Sequence, residues 1–193
     1  MGIFDWLRKK REQVDDANAA EMEYRGIFNA RVKKTGAKVD PELNQIFLKG
    51  YFSPYNHFKK VLTESDTNYQ NTGKEYYARQ HTESISGLMN SSLQSLEQCP
   101  DPTSQKGTEY LGSALGGFLV AVEYGITSPA FLTSESPKIL DKAKLISIQL
   151  KKLGKSISPK FISRRMIKIA DKHAKHMTED QIDLIAKLGA LFK

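Results

Sequence analysis

Ser136-Pro137-Lys138-Ile139-Leu140-Asp141-Lys142-Ala143-Lys144-Leu145-Ile146-Ser147-Ile148-Gln149-Leu150-Lys151-Lys152-Leu153 reads as one amphipathic helix. Ile139, Ala143, Ile146, Leu150 and Leu153 recur at spacings of four, three, four and three. That is a heptad seam, which buries one stripe and leaves the lysines on the other faces. The seam is too short for an extended coiled coil, so it predicts a helix packed in a bundle.

The Ser-Pro pair that opens this stretch is one of six of its kind. Six of the seven prolines follow Asp or Ser: Asp40-Pro41, Ser53-Pro54, Asp101-Pro102, Ser128-Pro129, Ser136-Pro137 and Ser158-Pro159. Asp and Ser side chains accept from the free N–H groups of a first helical turn, and proline at the first helical position gives up an N–H that has no partner there. Each pair therefore predicts a helix start. Gly50 predicts the end of a short helix begun at Pro41, and Pro54 the start of the next. Residues 64–73 lack an apolar period, so they read as a loop or a weak helical link. Thr72 with Glu75, and Thr178 with Gln181, have the form of capping boxes. Tyr77, His81, Ile85, Leu88 and Leu96 predict the buried stripe of a long helix that ends near Gln98. Leu111, Leu115, Phe118, Leu119 and Val122 predict another, over 102–124. There Gly112, Gly116 and Gly117 cost roughly 1 kcal/mol each in helix propensity relative to Ala. Close approach of a neighbouring backbone is the expected compensation. Residues 2–34 carry a helical period through Ile3, Leu7, Val14, Ala17, Tyr24 and Phe28. The expected architecture is all-α, a single compact bundle of about six to eight helices. An N-terminal helical segment over 1–36, peripheral to the bundle, precedes a bundle domain over 37–193.

Composition bounds the class. A chain of 193 residues with 39% hydrophobic and 26% charged residues has the makings of a globular core. A single cysteine, Cys99, excludes an intrachain disulfide and points to a reducing compartment, the cytoplasm. The apolar run Leu111–Val122 is too short to span a bilayer. The net charge of +7 is unevenly placed. From Lys138 to Lys175 there are 12 Lys and Arg against Asp141 and Asp171, whereas the rest of the chain holds 17 against 20 acidic residues.

Catalytic and metal patterns are weak. His173 and His176 stand three apart, near Asp171 and Asp180, but no His-Glu-x-x-His spacing accompanies them. His81-x-Glu83 lacks the Pro-Cys-x-x-Cys partner of zinc deaminases. Cys99 sits at a helix C-terminus, where the dipole disfavours a thiolate. No metal and no cofactor is expected. The aromatic cluster Tyr51, Phe52, Tyr55, His57 and Phe58 reads as core in preference to a stacking surface.

The basic stretch carries the functional expectation. Lys151, Lys152, Lys155, Lys160, Arg164, Arg165, Lys168, Lys172 and Lys175 flank the junction at Gly154 to Pro159. Two helices joined there present them as one patch. The first reading is a non-catalytic binding protein of inhibitor, immunity or regulatory type that meets an acidic protein surface, with Arg164 and Arg165 suited to paired carboxylate contacts. The alternative is nucleic acid on the same patch, with strongly salt-dependent binding. A third reading is a helical enzyme whose site is assembled from His81, Glu83, His173 and Asp180. Residues 3–11, with Trp6 among basic neighbours, fit a membrane interface less well than a helix docked on its own bundle.

Overall fold

The computed structural model describes residues 40–153 and 160–193. The molecule is all-α and compact. Its helices are α1 (Pro41–Thr72), α2 (Glu75–Glu97), α3 (Gln105–Val120), α4 (Ser136–Lys152), α5 (Lys160–His173) and α6 (Glu179–Leu191). A single π turn, Ala121–Ile126, prolongs α3, and short 3-10 turns at Thr133–Glu135 and Ala174–His176 precede α4 and follow α5. The segments 1–36 and Ser158-Pro159, with the helix starts expected in them, lie outside the described residues.

The core is built around α3, which packs along α1 and against α2. Its leucines and Phe118, together with Val120, Ala121 and Val122, are fully buried. Alpha4 closes over α2 and α6, and α5 pairs with α6. The seam of α4 is buried as its spacing requires, at Ile139, Ala143, Ile146 and Leu150. Tyr51 and Tyr55 stack in the core with ring centroids 5.3 Å apart.

The proline punctuation holds in part. Asp40 caps α1, its Oδ1 accepting from the Glu42 amide at 2.8 Å; Pro137 sits in the first turn of α4, but Ser136 is itself the first helical residue and its hydroxyl caps nothing. Asp101-Pro102 instead forms a turn, and Ser104 caps α3. Ser128-Pro129 forms the turn after the π segment. Ser53-Pro54 lies inside α1, which runs for 32 residues without a break at Gly50 and continues through 64–72. An interior proline costs about 3 kcal/mol. Breaking the helix there would forfeit more, since Tyr51, Tyr55 and Leu62 on both sides of Pro54 are buried and each is worth about 1.5–3 kcal/mol. Alpha1 stops at Gly73, whose φ of 63° suits only a residue without Cβ. Thr72 is therefore the last residue of α1, and Lys74 precedes α2 without a side-chain cap, so the capping box expected at Thr72 and Glu75 does not form. The box at Thr178 and Gln181 does.

The glycines of α3 do bring a backbone close. A Cβ on Gly112 would run into the Phe47 carbonyl, and one on Gly116 into that of Tyr51. Gly50 answers from the other side, where a Cβ would lie 2.5 Å from the Glu109 oxygen. Gly50 thus lets α1 and α3 touch and does not end a helix. Gly117 faces the side chain of Ser92 rather than a backbone.

Candidate functional site: a cationic helix seated on a buried carboxylate

The π turn places an acid inside the core. Glu123 follows an apolar run and its side chain is 1% exposed. A buried carboxylate is tolerable only when it is paired and hydrogen-bonded. Three groups do this. Arg165 Nη2 donates to Oε2 at 2.8 Å, Lys172 Nζ donates to Oε1 at 2.8 Å, and the Tyr55 hydroxyl donates to Oε2 at 3.1 Å. Burial pushes the carboxyl pKa up, but the charges of Arg165 and Lys172 and the donated hydrogen bonds outweigh it. Glu123 is held below the ordinary carboxylate range and is ionised.

Arg165 and Lys172 are seven residues apart, two turns of α5, so both reach the same carboxylate. The Arg165 side chain is 17% exposed and that of Lys172 is 56% exposed. Lys172 also lies 6.0 Å from the centroid of Tyr124, over which Lys59 of α1 stands at 4.7 Å. Alpha5 is thus fixed to the core on one side by Ile162, Met166 and Ile169, and at its edge by two charge-assisted bonds.

The remaining expected patch residues divide. Arg164 and Lys168 are exposed, one turn apart, in the row that Lys172 continues. Lys175 is exposed in the 3-10 turn beyond α5. Lys151 and Lys152 are exposed at the end of α4, where Lys151 donates to the Leu191 carbonyl at 3.4 Å. Lys155 lies outside the described residues, and Lys160 begins α5. Sequence reasoning put Arg165 on the surface beside Arg164 and missed Glu123, Tyr55 and Tyr124. The available signal was a lone acid within the apolar run of 111–126, which has to find a cation once buried.

The same π turn ends with carbonyls that the α ladder does not use, and two distant side chains take them. His81 Nε2 donates to the Gly125 carbonyl at 3.0 Å, and Gln181 Nε2 donates to the carbonyls of Ile126 at 2.7 Å and Ser128 at 2.8 Å. Burial lowers the His81 pKa and keeps the ring neutral, which leaves Nδ1 to accept from the Ser65 hydroxyl at 2.8 Å. Asp66 Oδ1 accepts from Ser128 Oγ and from the Ala130 amide, which fixes the turn. His81 and Glu83 are consecutive alternate residues of α2, but only His81 is buried. His173 is partly buried beside the cations, which together with burial lower its pKa, while His176 and Asp180 are exposed. Among the described residues no three His, Cys, Asp or Glu side chains converge on a metal-sized point. The Cys99 thiol donates to the Gly107 carbonyl at 3.4 Å, and burial raises its pKa. No described helix is long and apolar enough to cross a membrane.

Comparison with known proteins finds no matching family model, no similar curated protein and no similar solved structure.

Proposed function

We propose that this protein is a non-catalytic binding module, of inhibitor, immunity or regulatory type, that engages an acidic protein surface. It does so through the outer face of α5 and the adjoining end of α4. The supporting observation is the row Arg164, Lys168 and Lys172 along the exposed side of α5, a helix whose edge Arg165 and Lys172 tie to Glu123. Arg164 brings a guanidinium able to take a partner carboxylate through two parallel bonds.

The deciding experiment is affinity capture from lysate with and without nuclease treatment, run with the native chain and with an R164E/K168E double variant. A stoichiometric protein partner retained by the native chain, and weakened at least ~10-fold by the double variant, supports the reading. Partners that vanish on nuclease treatment assign the face to nucleic acid. Equal capture by both chains means that the row is a solvated helix face.

A further inference from the structure

Three cations gather at the seam between α1 and α5. Arg165 and Lys172 of α5 each bond to Glu123 at 2.8 Å, and Lys59 of α1 stands 4.7 Å from the centroid of Tyr124, which Lys172 also approaches. Asp171 lies on the other side of α5, in the groove toward α6. Among the described residues the seam therefore sets three positive charges against the one carboxylate of Glu123. On α1 an apolar line leads up to it. Leu48, Phe52, Tyr55 and Lys59 recur at spacings of four, three and four, so they share one face, and Leu48 and Phe52 are half-buried.

The sequence ahead of α1 has the complementary pattern. Glu12, Asp15, Asp16, Glu21 and Glu23 fall in a stretch that holds no Lys or Arg, between Arg11 and Arg25. Tyr24 and Phe28 follow at a spacing of four, and Val14 and Ala17 precede them on the same period. Chain length supplies a register. Helices in bundles are joined by about 2–8 residues. A turn over 36–40, where Gly36 stands, returns a helix antiparallel to α1, and both rise ~1.5 Å per residue. Facing residue numbers then sum to about 76. Phe28 comes level with Leu48, Tyr24 with Phe52, and Ala17, beside Asp15 and Asp16, with Lys59. Rings meet the apolar line and acids meet the cations in a single register.

We infer that residues 12–28 of this chain dock on the α1–α5 seam as an intramolecular acidic ligand. Asp15 and Asp16 face the cations around Tyr124, and Tyr24 and Phe28 lie along Phe52 and Leu48. The occupant is this segment because charge and aromatic spacing, two independent properties, match in the register that its tether allows. The tether also keeps its local concentration high, so individually weak surface ion pairs suffice. The placement stands independently of the partner surface proposed for α5, with which it shares Lys172.

The test is paramagnetic broadening of amide signals in the full chain, with a nitroxide carried by N18C in a C99S background. Asn18 is off the apolar period and comes level with Phe58. Broadening strongest at Lys59 and Tyr124, and weak at the start of α1 and the end of α2, supports the placement. Broadening centred elsewhere, or none, overturns it. So does broadening that arises only between molecules, seen when spin-labelled chain is mixed with isotope-labelled chain, which assigns the contact to a second copy. D15K/D16K is expected to reduce the broadening at Lys59 at least ~2-fold, and K59E/K60E added to it to restore the signal loss, as directly facing charges do in a double-mutant cycle. Thermal melts of the same samples separate a released segment from an unfolded chain. Broadening unchanged in folded D15K/D16K overturns the inference.

Discussion

Alpha3 and α5 are both fastened to the rest of the bundle, by opposite means. Alpha3 meets α1 through glycine, with backbone against backbone. Alpha5 meets the core through a stripe of branched side chains and Met166, and its edge is tied down by two cations on one buried carboxylate. The glycine contact depends on shape and tolerates no added atom. The second depends on charge and should respond to pH. Shape-dependent contacts fail abruptly because interiors are packed near crystal density, whereas ion pairs weaken by degrees.

That contrast is broken most severely at Gly116. Gly116→Val drives two branches into the Tyr51 carbonyl and is expected to unfold the domain, a loss of more than ~3 kcal/mol read as collapse of the urea midpoint. Glu123→Gln comes next. It leaves Arg165 and Lys172 beside a neutral amide and should cost about 3 kcal/mol at neutral pH, because breaking a buried pair strands charge. A variant as stable as the native chain would show that the pair only fills space.

The same substitution sharpens the comparison through pH. The Glu123 pKa is depressed in the folded state, so its contribution to stability is present above the ordinary carboxylate range and is lost as pH falls through the folded value. The native chain should lose stability in acid more steeply than Glu123→Gln, as measured by urea midpoints from pH 7 down to pH 3 or so. His81, also depressed but neutral when folded, adds a loss that begins as pH drops below the usual imidazole value. The difference between native and variant removes this shared term.

Smaller effects mark the edges of both regions. Thr178→Ala deletes one half of the α6 capping box and should cost about 1 kcal/mol. Gly87→Ala should instead stabilise by up to ~1 kcal/mol, because a Cβ there meets nothing within 4 Å. Opposite signs at Gly87 and Gly116, measured in the same thermal scans, would separate glycine as contact from glycine as mere flexibility.

The helical stripes, the all-α class and the α6 capping box were legible because each depends on neighbours within one or two turns. The glycine-mediated approach in α3 was legible for the same reason: three glycines in an apolar helix need a compensating contact. The ends of α1 were not. Gly50 and Pro54 carry local signals to stop, and the burial of Tyr51 and Tyr55 against α3 overrides both. The candidate site was half legible. A cationic α5 follows from composition, but which cations face outward depends on an acid 42 residues from Arg165 in sequence.

By itself, then, the chain determined its rods, their greasy faces and the placement of its positive charge, all short-range properties of residue type and spacing. Only the tertiary structure decided which carbonyl each glycine meets, that a proline remains inside a helix, and that Arg165 and Lys172 converge on Glu123. Those outcomes turn on burial shared between distant segments, and burial is a property of the assembled fold.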